Sequence, residues 1–299
     1  MKLSTSTGDF AAYTQHQSEA IGWIAQSGFR YLDYNFATDC ARGNGIYGGD
    51  FEAYVDGIKR RADELGVAFV QAHAPAGQPF VRGWDELIGQ TILCVKACAK
   101  LGIKNLVVHS AYAPDMTVEE TIEKNKEFYT PILQAAEEHD VYILTENFNK
   151  MTKPNVFWID NATDLLRLIE YVDHPLFQAV WDTGHANLQE LAQDAELRLL
   201  GSHVRALHVQ DNLGDHDTHL APYMGTLNLD AVMHGLQEIG FNGYFNFEVG
   251  PFFASAGRRR VYEADKRLRL PTIALRLQAE QLLYQIGKTA LEAYGCFEE

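Results

Sequence analysis

Histidine and carboxylate side chains follow short apolar stretches at six places along this chain. They are His73, His109, Glu146, Asp182, His208 and Glu248. If the apolar stretches are parallel strands of one sheet, their ends meet at one edge and these side chains become neighbours. Three carboxylates crowded there, with no lysine or arginine at the same positions, would repel one another, and a divalent cation would neutralise them.

Each of these residues also has an ordinary structural explanation. A carboxylate after a strand is commonly a helix N-cap, and a histidine there is commonly a hydrogen-bonded structural residue. The joint occurrence favours a metal site instead. Three carboxylates with one imidazole form an oxygen-rich, moderately hard ligand set, which suits Mn, Mg or Co and tolerates Zn.

One pattern repeats between these positions: an amphipathic helix, a glycine or Asx turn, and a short apolar strand. The strands are predicted to begin near residues 2, 29, 68, 104, 141, 177, 204 and 242. Their near-continuous apolar cores are typical of parallel strands covered on both faces, and their spacing fits a crossover helix between strands. Eight such units predict an α/β fold, a single (β/α)8 TIM barrel over residues 1–299. An open doubly wound sheet is the weaker alternative.

Three of the connections that follow strands are longer than the rest, at about 35–50, 211–227 and 250–271. We expect all three at the face of the barrel where active sites lie. The last contains a basic segment, 258–269, interpreted as an interface arm, a clamp for a sugar phosphate or a solvated face. Helices are predicted at about 15–27, 50–65, 83–101, 117–138, 161–171, 188–199, 228–239 and 272–290.

Charge and composition exclude several classes of protein. With 25 basic and 40 acidic residues the net charge is −15, which disfavours nucleic acid as a partner. No apolar run approaches the roughly 18 residues of a membrane span. The first residues lack the basic head and apolar stretch of a signal peptide, and four cysteines are too few for a disulfide scaffold. We therefore expect a cytoplasmic protein.

At these strand ends the sequence resembles the sugar isomerase/epimerase superfamily. This xylose isomerase-like barrel group also holds ketose 3-epimerases, inosose-processing enzymes and endonuclease IV. The resemblance spans nearly the whole chain, and its most specific segments are TEN (145–147), WDTGHAN (181–187), LHVQDN (207–212), DTHL (217–220), GTLNLD (225–230) and GYFNFE (243–248). Each segment is weak alone, but together and in this order they are specific.

The resemblance implies particular roles for residues at the strand ends. It implies that His185 contacts the substrate. It implies a metal ion held by four residues: Glu146, Asp182, His208 and Glu248. In the epimerase branch of the superfamily the two ligand glutamates also serve as the acid–base pair.

The sequence departs from ketose 3-epimerases at two positions. Thr152 stands six residues after Glu146, where those enzymes place a substrate-contacting glutamate. Gly214 stands six residues after His208, where they place an arginine. These differences argue against a ketohexose 3-epimerase without affecting the metal site. Positions that endonuclease IV uses for its second and third zinc ions are matched by His73, His109, Asp217 and His219.

The predicted reaction is proton transfer at the carbon next to a carbonyl of a sugar, sugar phosphate or polyol ketone. It would give isomerisation or epimerisation through a metal-stabilised enediolate. One divalent metal ion, Mn, Mg, Co or Zn, is the expected cofactor. Glu146 and Glu248 are the predicted catalytic residues. Substrate binding is assigned to His185, His73, His109, Asp217 and His219.

Two other functions stay open at the level of sequence. One is metal-dependent phosphodiester hydrolysis in the manner of endonuclease IV, with up to three zinc ions, which the net charge of −15 argues against. The other is a metal-binding barrel subunit that is active only beside a partner chain. The last helix, 272–290, either seals the barrel or pairs two subunits in a homo-oligomer.

Overall fold

The structure, a computed structural model, describes residues 1–43, 45–47, 49–76, 84–111, 116–149, 158–250, 252–253 and 270–299. Two features singled out in the sequence, Thr152 and the basic segment 258–269, lie outside the described residues. No helix among the described residues combines the length and the apolar character that crossing a bilayer requires.

Eight parallel strands form the central sheet. They are β1 (Lys2–Ser6), β2 (Tyr31–Asn35), β3 (Ala68–His73), β4 (Asn105–Val107), β5 (Tyr142–Glu146), β6 (Phe177–Asp182), β7 (Val204–His208) and β8 (Tyr244–Phe247). The strands lie in the order β7-β6-β5-β4-β3-β2-β1-β8. Val209 N donates to Asn246 O at 2.8 Å and Glu248 N donates to Val209 O at 3.1 Å, so β7 meets β8 and the barrel is nearly closed. The predicted (β/α)8 TIM barrel is therefore confirmed.

Helices surround this sheet. In the part of the chain that the structure describes they are α1 (Ser18–Gln26), α2 (Phe36–Ala41), α3 (Phe51–Leu65), α4 (Trp84–Leu101), α5 (Val118–His139), α6 (Ala162–Val172), α7 (Thr183–Leu188), α8 (Gln193–Leu200), α9 (Leu229–Glu238) and α10 (Ile273–Ala293). Most begin within a few residues of their predicted positions, because apolar periodicity and the Gly and Asx turns mark them in the sequence.

The short helices α2 and α7 differ from the sequence prediction. The prediction placed a loop at 35–50, and α2 lies inside it. It also placed a single helix at 188–199, where the structure has α8, preceded by the separate short helix α7. In both cases the last residue of the preceding strand is the N-cap. Asn35 Oδ1 and Asp182 Oδ1 accept a hydrogen bond from the backbone N–H three residues later, at 2.8 Å and 2.6 Å. Because such a cap satisfies a free N–H, the helix begins directly at the strand end.

The interior of the barrel is divided into an apolar and a polar half. Strands β4 to β7 supply the apolar residues Val107, Leu144, Val180 and Ala206. Strands β8 and β1 to β3 supply the buried polar residues Ser4, Asp33, Gln71 and Asn246. Asn246 Nδ2 lies 3.5 Å from Asp33 Oδ2 although β1 separates their strands, so the polar side chains meet across the interior. Since buried polar groups are costly unless hydrogen-bonded, this half depends on its network.

The close packing of α10 predicts opposite effects of two glycine-to-alanine substitutions. At Gly287 in α10 an added Cβ would lie 2.6 Å from Leu3 Cδ2 and 2.7 Å from the Phe247 ring. We expect Gly287→Ala to lower the free energy of unfolding by about 1–3 kcal/mol, because the core is overpacked. At Gly57 in α3 an added Cβ meets no described atom within 4 Å, so Gly57→Ala should raise it by about 1 kcal/mol. Urea unfolding measures both, and a Gly287→Ala protein as stable as its parent would rule out this packing.

Candidate functional site

The four residues predicted to hold a metal ion come together at the carboxyl ends of the strands. Glu146, Asp182 and His208 are the last residues of β5, β6 and β7, and Glu248 directly follows β8. One oxygen or nitrogen atom of each lies within 4.8 Å of the corresponding atoms of the other three, and we call this group the four-residue centre. The Glu248 side chain is 22% exposed whereas the other three residues are buried, so solvent reaches the centre beside Glu248.

Hydrogen bonds around the four-residue centre leave two buried polar atoms without partners. His208 Nδ1 donates to Glu146 Oε1 at 3.0 Å and lies 3.6 Å from Glu248 Oε2. Asp182 Oδ1 accepts hydrogen bonds from the first turn of α7 and from Gln210 Nε2. Asp182 Oδ2 and His208 Nε2 are buried and have no hydrogen-bond partner among the described residues. A buried carboxylate oxygen of this kind, beside three further ligand-type atoms, fits a divalent cation that would compensate for the lost hydration.

The residues of the centre shift one another's protonation. Burial alone would raise the pKa of Glu146, but the surrounding histidines, His208 foremost, lower it well below its usual value. Burial raises the pKa of Asp182 to about 7, and the carboxylates of Glu146 and Glu248 add to the effect. Burial would lower the pKa of His208, but the same two glutamates outweigh it and raise the pKa to about 10. Without a cation the centre therefore retains protons to relieve its negative charge.

Each glutamate of the centre keeps its second carboxylate oxygen beside a different histidine. Glu146 Oε2 lies 3.2 Å from His109 Nε2, and Glu248 Oε1 lies 3.6 Å from His73 Nε2. The His109 side chain is 22% exposed and stands beside the Phe148 ring, with 4.6 Å between ring centroids. His73 is buried. The two glutamates therefore share His208 but have separate outer partners, one open to solvent and one closed.

A further set of contacts ties the loop after β7 to the centre. His185 Nδ1 donates to Asn147 O at 2.8 Å, and its Nε2 lies 3.2 Å from Asp217 Oδ2. His219 Nε2 lies 3.3 Å from Asp217 Oδ1, and its Nδ1 donates to Glu248 O at 2.8 Å. Burial would lower the pKa of both histidines, but nearby carboxylates raise it, that of His219 to about 10. Asp217 is thus held between two imidazoles.

The structure brings every sequence-predicted site residue into one network and adds three that the sequence analysis did not single out. Asp33 Oδ2 lies 2.9 Å from His73 Nδ1. Gln210 Nε2 donates to Asp182 Oδ1 at 3.2 Å, and Asn147 Oδ1 accepts from Asp182 N at 2.7 Å. Each of the three had a signal in the sequence. Asn147 lies inside the segment TEN and Gln210 inside LHVQDN, and Asp33 is the one carboxylate in the otherwise uncharged strand YLDYN. The assignments as ligand, base or substrate contact stay predictions.

Residues 21–264 match the model of a protein family, the xylose isomerase-like TIM barrel. The chain belongs to this family. The match confirms the resemblance inferred from the strand-end segments, and it covers all nine predicted site residues.

Relatives within this family are distant. An uncharacterised protein from Methanocaldococcus jannaschii is 26% identical over 191 residues, which cover 60% of this chain and 64% of that protein. Fructoselysine 3-epimerase from Escherichia coli O157:H7 is 28% identical over 109 residues, which cover 36% of this chain and 40% of that protein. The chain thus spans less than two thirds of the length of the curated relatives it matches.

Solved structures resemble the chain over nearly its whole length. A D-tagatose 3-epimerase-like protein superposes with a TM-score of 0.73 at 18% identity, covering 99% of this chain and 100% of that one. D-Psicose 3-epimerase from Clostridium cellulolyticum H10, solved with D-tagatose, gives a TM-score of 0.71 at 17% identity, covering 98% and 97%. At this level of identity the likeness shows a shared barrel fold.

The contact between Asp217 and His185 predicts a coupled change in protonation. Asp217→Asn removes a carboxylate 3.2 Å from His185 Nε2, so the pKa of His185 should fall by about one unit or more. Histidine-selective NMR titration of the metal-free protein measures the shift. Asp215→Asn is the matched control, because the exposed Asp215 lies on the same loop and contacts His216 instead. An unchanged His185 pKa in the Asp217→Asn protein would refute the assigned arrangement.

Proposed function

We propose that the chain is a divalent-metal-dependent epimerase of a ketose or related polyol ketone. Glu146 and Glu248 carry the proposal, because they come from non-adjacent strands and both face His208 within one centre. Epimerisation needs one group to remove a proton from one face of a carbon and another to return it to the opposite face. The epimerase names of the fructoselysine relative and of the two solved structures support this reaction class over isomerisation.

Glu146, Asp182, His208 and Glu248 would hold the ion. The donor set fits because three carboxylates and an imidazole are gathered within 4.8 Å and Asp182 Oδ2 lacks a hydrogen-bond partner among the described residues. When bound, a divalent ion supplies Lewis-acid stabilisation of the negative charge that develops on substrate oxygen as a proton leaves the neighbouring carbon. The oxygen-rich set suits Mn, Mg or Co and tolerates Zn.

The chain's own side chains would move the protons. Glu146 would accept a proton from the substrate, since its lowered pKa keeps the carboxylate ionised at neutral pH. His109 Nε2, 3.2 Å from Glu146 Oε2 and partly exposed, is placed to exchange that proton with solvent. Glu248 would act on the opposite face of the same carbon. Return of the proton to the adjacent carbon by a single glutamate would give isomerisation instead.

Polar groups around the centre would bind the substrate's hydroxyls. His185, Asp217 and His219 line the side next to the β7 loop, and His109 lines the side next to Glu146. The Phe148 ring, 4.6 Å from the His109 ring and 5.2 Å from the His185 ring, would form an apolar wall between them. A small carbohydrate with several hydroxyls is the ligand that such a mixture of imidazoles, a carboxylate and an aromatic ring suits.

Multi-metal phosphodiester hydrolysis is the second candidate function. Three further groups of described residues also gather ligand-type atoms within 4.8 Å of one another: Asp33, His73 and His208; His73, His109 and Glu146; and His185, Asp217 and His219. The net charge of −15 and the epimerase relatives do not favour this alternative. The number of ions bound per chain separates the two functions.

Substitution of each glutamate by glutamine tests the proposed pair of bases. Glu146→Gln and Glu248→Gln keep the side-chain shape and remove the basic oxygen, so each should lower kcat by about 10²–10⁴-fold. Deuterium incorporation from D₂O into a panel of ketoses and inososes measures turnover at the carbon next to the carbonyl. Glu137→Gln, an exposed glutamate of α5, is the matched control, and Thr152→Ala should change little.

A fully active Glu248→Gln protein would refute the two-base mechanism. Absence of label with the isolated wild-type chain, followed by its appearance on addition of a partner protein, would favour the alternative of a subunit active only in a complex.

Divalent-ion affinity should weaken as pH falls. An ion at the centre must displace a proton from His208, whose pKa is about 10, and a second from Asp182, whose pKa is about 7. The logarithm of the Mn²⁺ association constant should therefore rise by about one per pH unit above pH 7 and by up to about two below it. Calorimetry in buffers of different ionisation enthalpy counts the protons and the ions. One ion per chain is expected, three would favour the phosphodiesterase, and a pH-independent constant would exclude His208 as a ligand.

A further inference from the structure

Asp33 is a buried carboxylate whose presence the packing of the barrel does not require. Its Oδ2 lies 2.9 Å from His73 Nδ1 and accepts hydrogen bonds from Gln71 Nε2 at 3.1 Å and Asn246 Nδ2 at 3.5 Å. Its Oδ1 is buried without a hydrogen-bond partner among the described residues. Burying a charge is costly even when it is paired, and β4 to β7 fill the other half of the same interior with aliphatic side chains. Asp33 therefore needs an explanation outside packing.

A second metal ion is not that explanation. Asp33, His73 and His208 do offer ligand-type atoms within 4.8 Å of one another. However, the rings of His73 and His208 are stacked, with 4.6 Å between centroids and 24° between planes. Lone pairs of ring nitrogens lie in the ring planes, so stacking keeps those of His73 and His208 in two separate, nearly parallel planes. They therefore cannot converge on one ion about 2.0–2.1 Å from each nitrogen.

The contacts instead form a line from Asp33 through His73 to Glu248. His73 Nε2, at the far side of the ring from Nδ1, lies 3.6 Å from Glu248 Oε1. A half-turn of the His73 ring about its Cβ–Cγ bond would put a carbon in place of Nε2 and leave Glu248 Oε1 facing a C–H group. Stacking on His208 does not distinguish the two orientations, because it is the same in both. The partner of Nδ1, Asp33, distinguishes the two orientations.

We propose that Asp33 is a positioning residue for Glu248. Its carboxylate, with Oδ2 2.9 Å from His73 Nδ1, favours this orientation of the ring over the half-turned one and so keeps Nε2 beside Glu248 Oε1. Glu248 Oε2 then stays directed towards His208 and the four-residue centre. The inference rests on the proposed role of Glu248 as ligand and base and deepens it. Removing a group that orients a ligating side chain typically changes metal affinity or activity by about 10–100-fold.

A double-mutant cycle on Mn²⁺ affinity tests whether Asp33 acts through His73. Asp33→Asn keeps the shape and removes the charge, and His73→Phe keeps a ring that stacks on His208 but removes both nitrogens. We expect each single substitution to weaken Mn²⁺ binding by about 10–100-fold and the double variant to be no weaker than His73→Phe alone, within about twofold. Asp39→Asn, a buried carboxylate in α2 hydrogen-bonded to Tyr34 and Tyr54, is the matched control and should stay within about twofold of wild type.

Kinetics of the same variants separate positioning from a general loss of structure. Asp33→Asn should lower kcat by about 10–100-fold with KM for the ketose changed less than about threefold. In this proposal His73 positions Glu248 instead of binding a hydroxyl, and the hydroxyl-binding groups His109, His185, Asp217 and His219 are unchanged. Multiplication of the two single effects in the double variant, or an Asp33→Asn protein indistinguishable from wild type, would overturn the proposal.

NMR of the wild-type protein labelled with ¹⁵N-histidine keeps the proposal testable where a variant fails to fold. The expected spectrum shows His73 Nδ1 carrying a proton in the metal-free and the Mg²⁺-loaded protein. An unprotonated Nδ1 would overturn the role of Asp33. This measurement needs no turnover, so a wild-type chain that epimerises no ketose would count against the proposed function while the state of Nδ1 still decides the role of Asp33.

Discussion

Repulsion among the carboxylates of Glu146, Asp182 and Glu248 is the constraint on which the barrel face at the carboxyl ends of the strands depends. Two of the three are buried, so water cannot screen them, and each must have its charge compensated or remain protonated. In the metal-free chain protons provide the compensation. Burial, with the neighbouring carboxylates, raises the pKa of Asp182 to about 7, and Glu146 and Glu248 outweigh burial to raise that of His208 to about 10. Under the proposed function a single dication replaces those protons.

Asp182 shows that a structural and a chemical role can share one side chain. Its Oδ1 caps α7 by accepting a hydrogen bond from the backbone N–H of His185 at 2.6 Å, as a strand-end carboxylate commonly does. The cap fixes the carboxylate, and Oδ2 is left facing the centre. Because His185 lies in the first turn of the capped helix, the same hydrogen bond also sets where that imidazole meets Asn147 and Asp217. The hydrogen bond that begins α7 therefore also fixes the positions of two site residues, Asp182 and His185.

Buried polar groups also need partners in the polar half of the barrel interior. Ser4 donates to Asn246, and both Asn246 and Gln71 donate towards Asp33, so a hydrogen-bonded layer crosses from β1 and β8 to β2 and β3. The apolar half needs no such layer. The polar half includes β3, which ends at His73, and β8, which Glu248 follows, but not β5, which ends at Glu146. This accounts for the difference between the two glutamates. One has a partly exposed histidine as its outer partner and the other has a buried histidine held by a buried carboxylate.

From the sequence alone come the barrel and the prediction that the residues at its strand ends lie together, while their roles stay predictions. Parallel strands joined by crossover helices place all their carboxyl ends on one face, so the order of His73, His109, Glu146, Asp182, His208 and Glu248 sufficed to predict that they would meet. The tertiary structure alone decided which atom faces which. Asp33 escaped prediction because a strand buried on both faces has no polar–apolar alternation to show which side chains point inward, and α2 and α7 escaped because capping depends on a side-chain rotamer. Ring orientations and the division of each carboxylate between two partners are set by packing across strands that are distant in the chain, which local pattern does not encode.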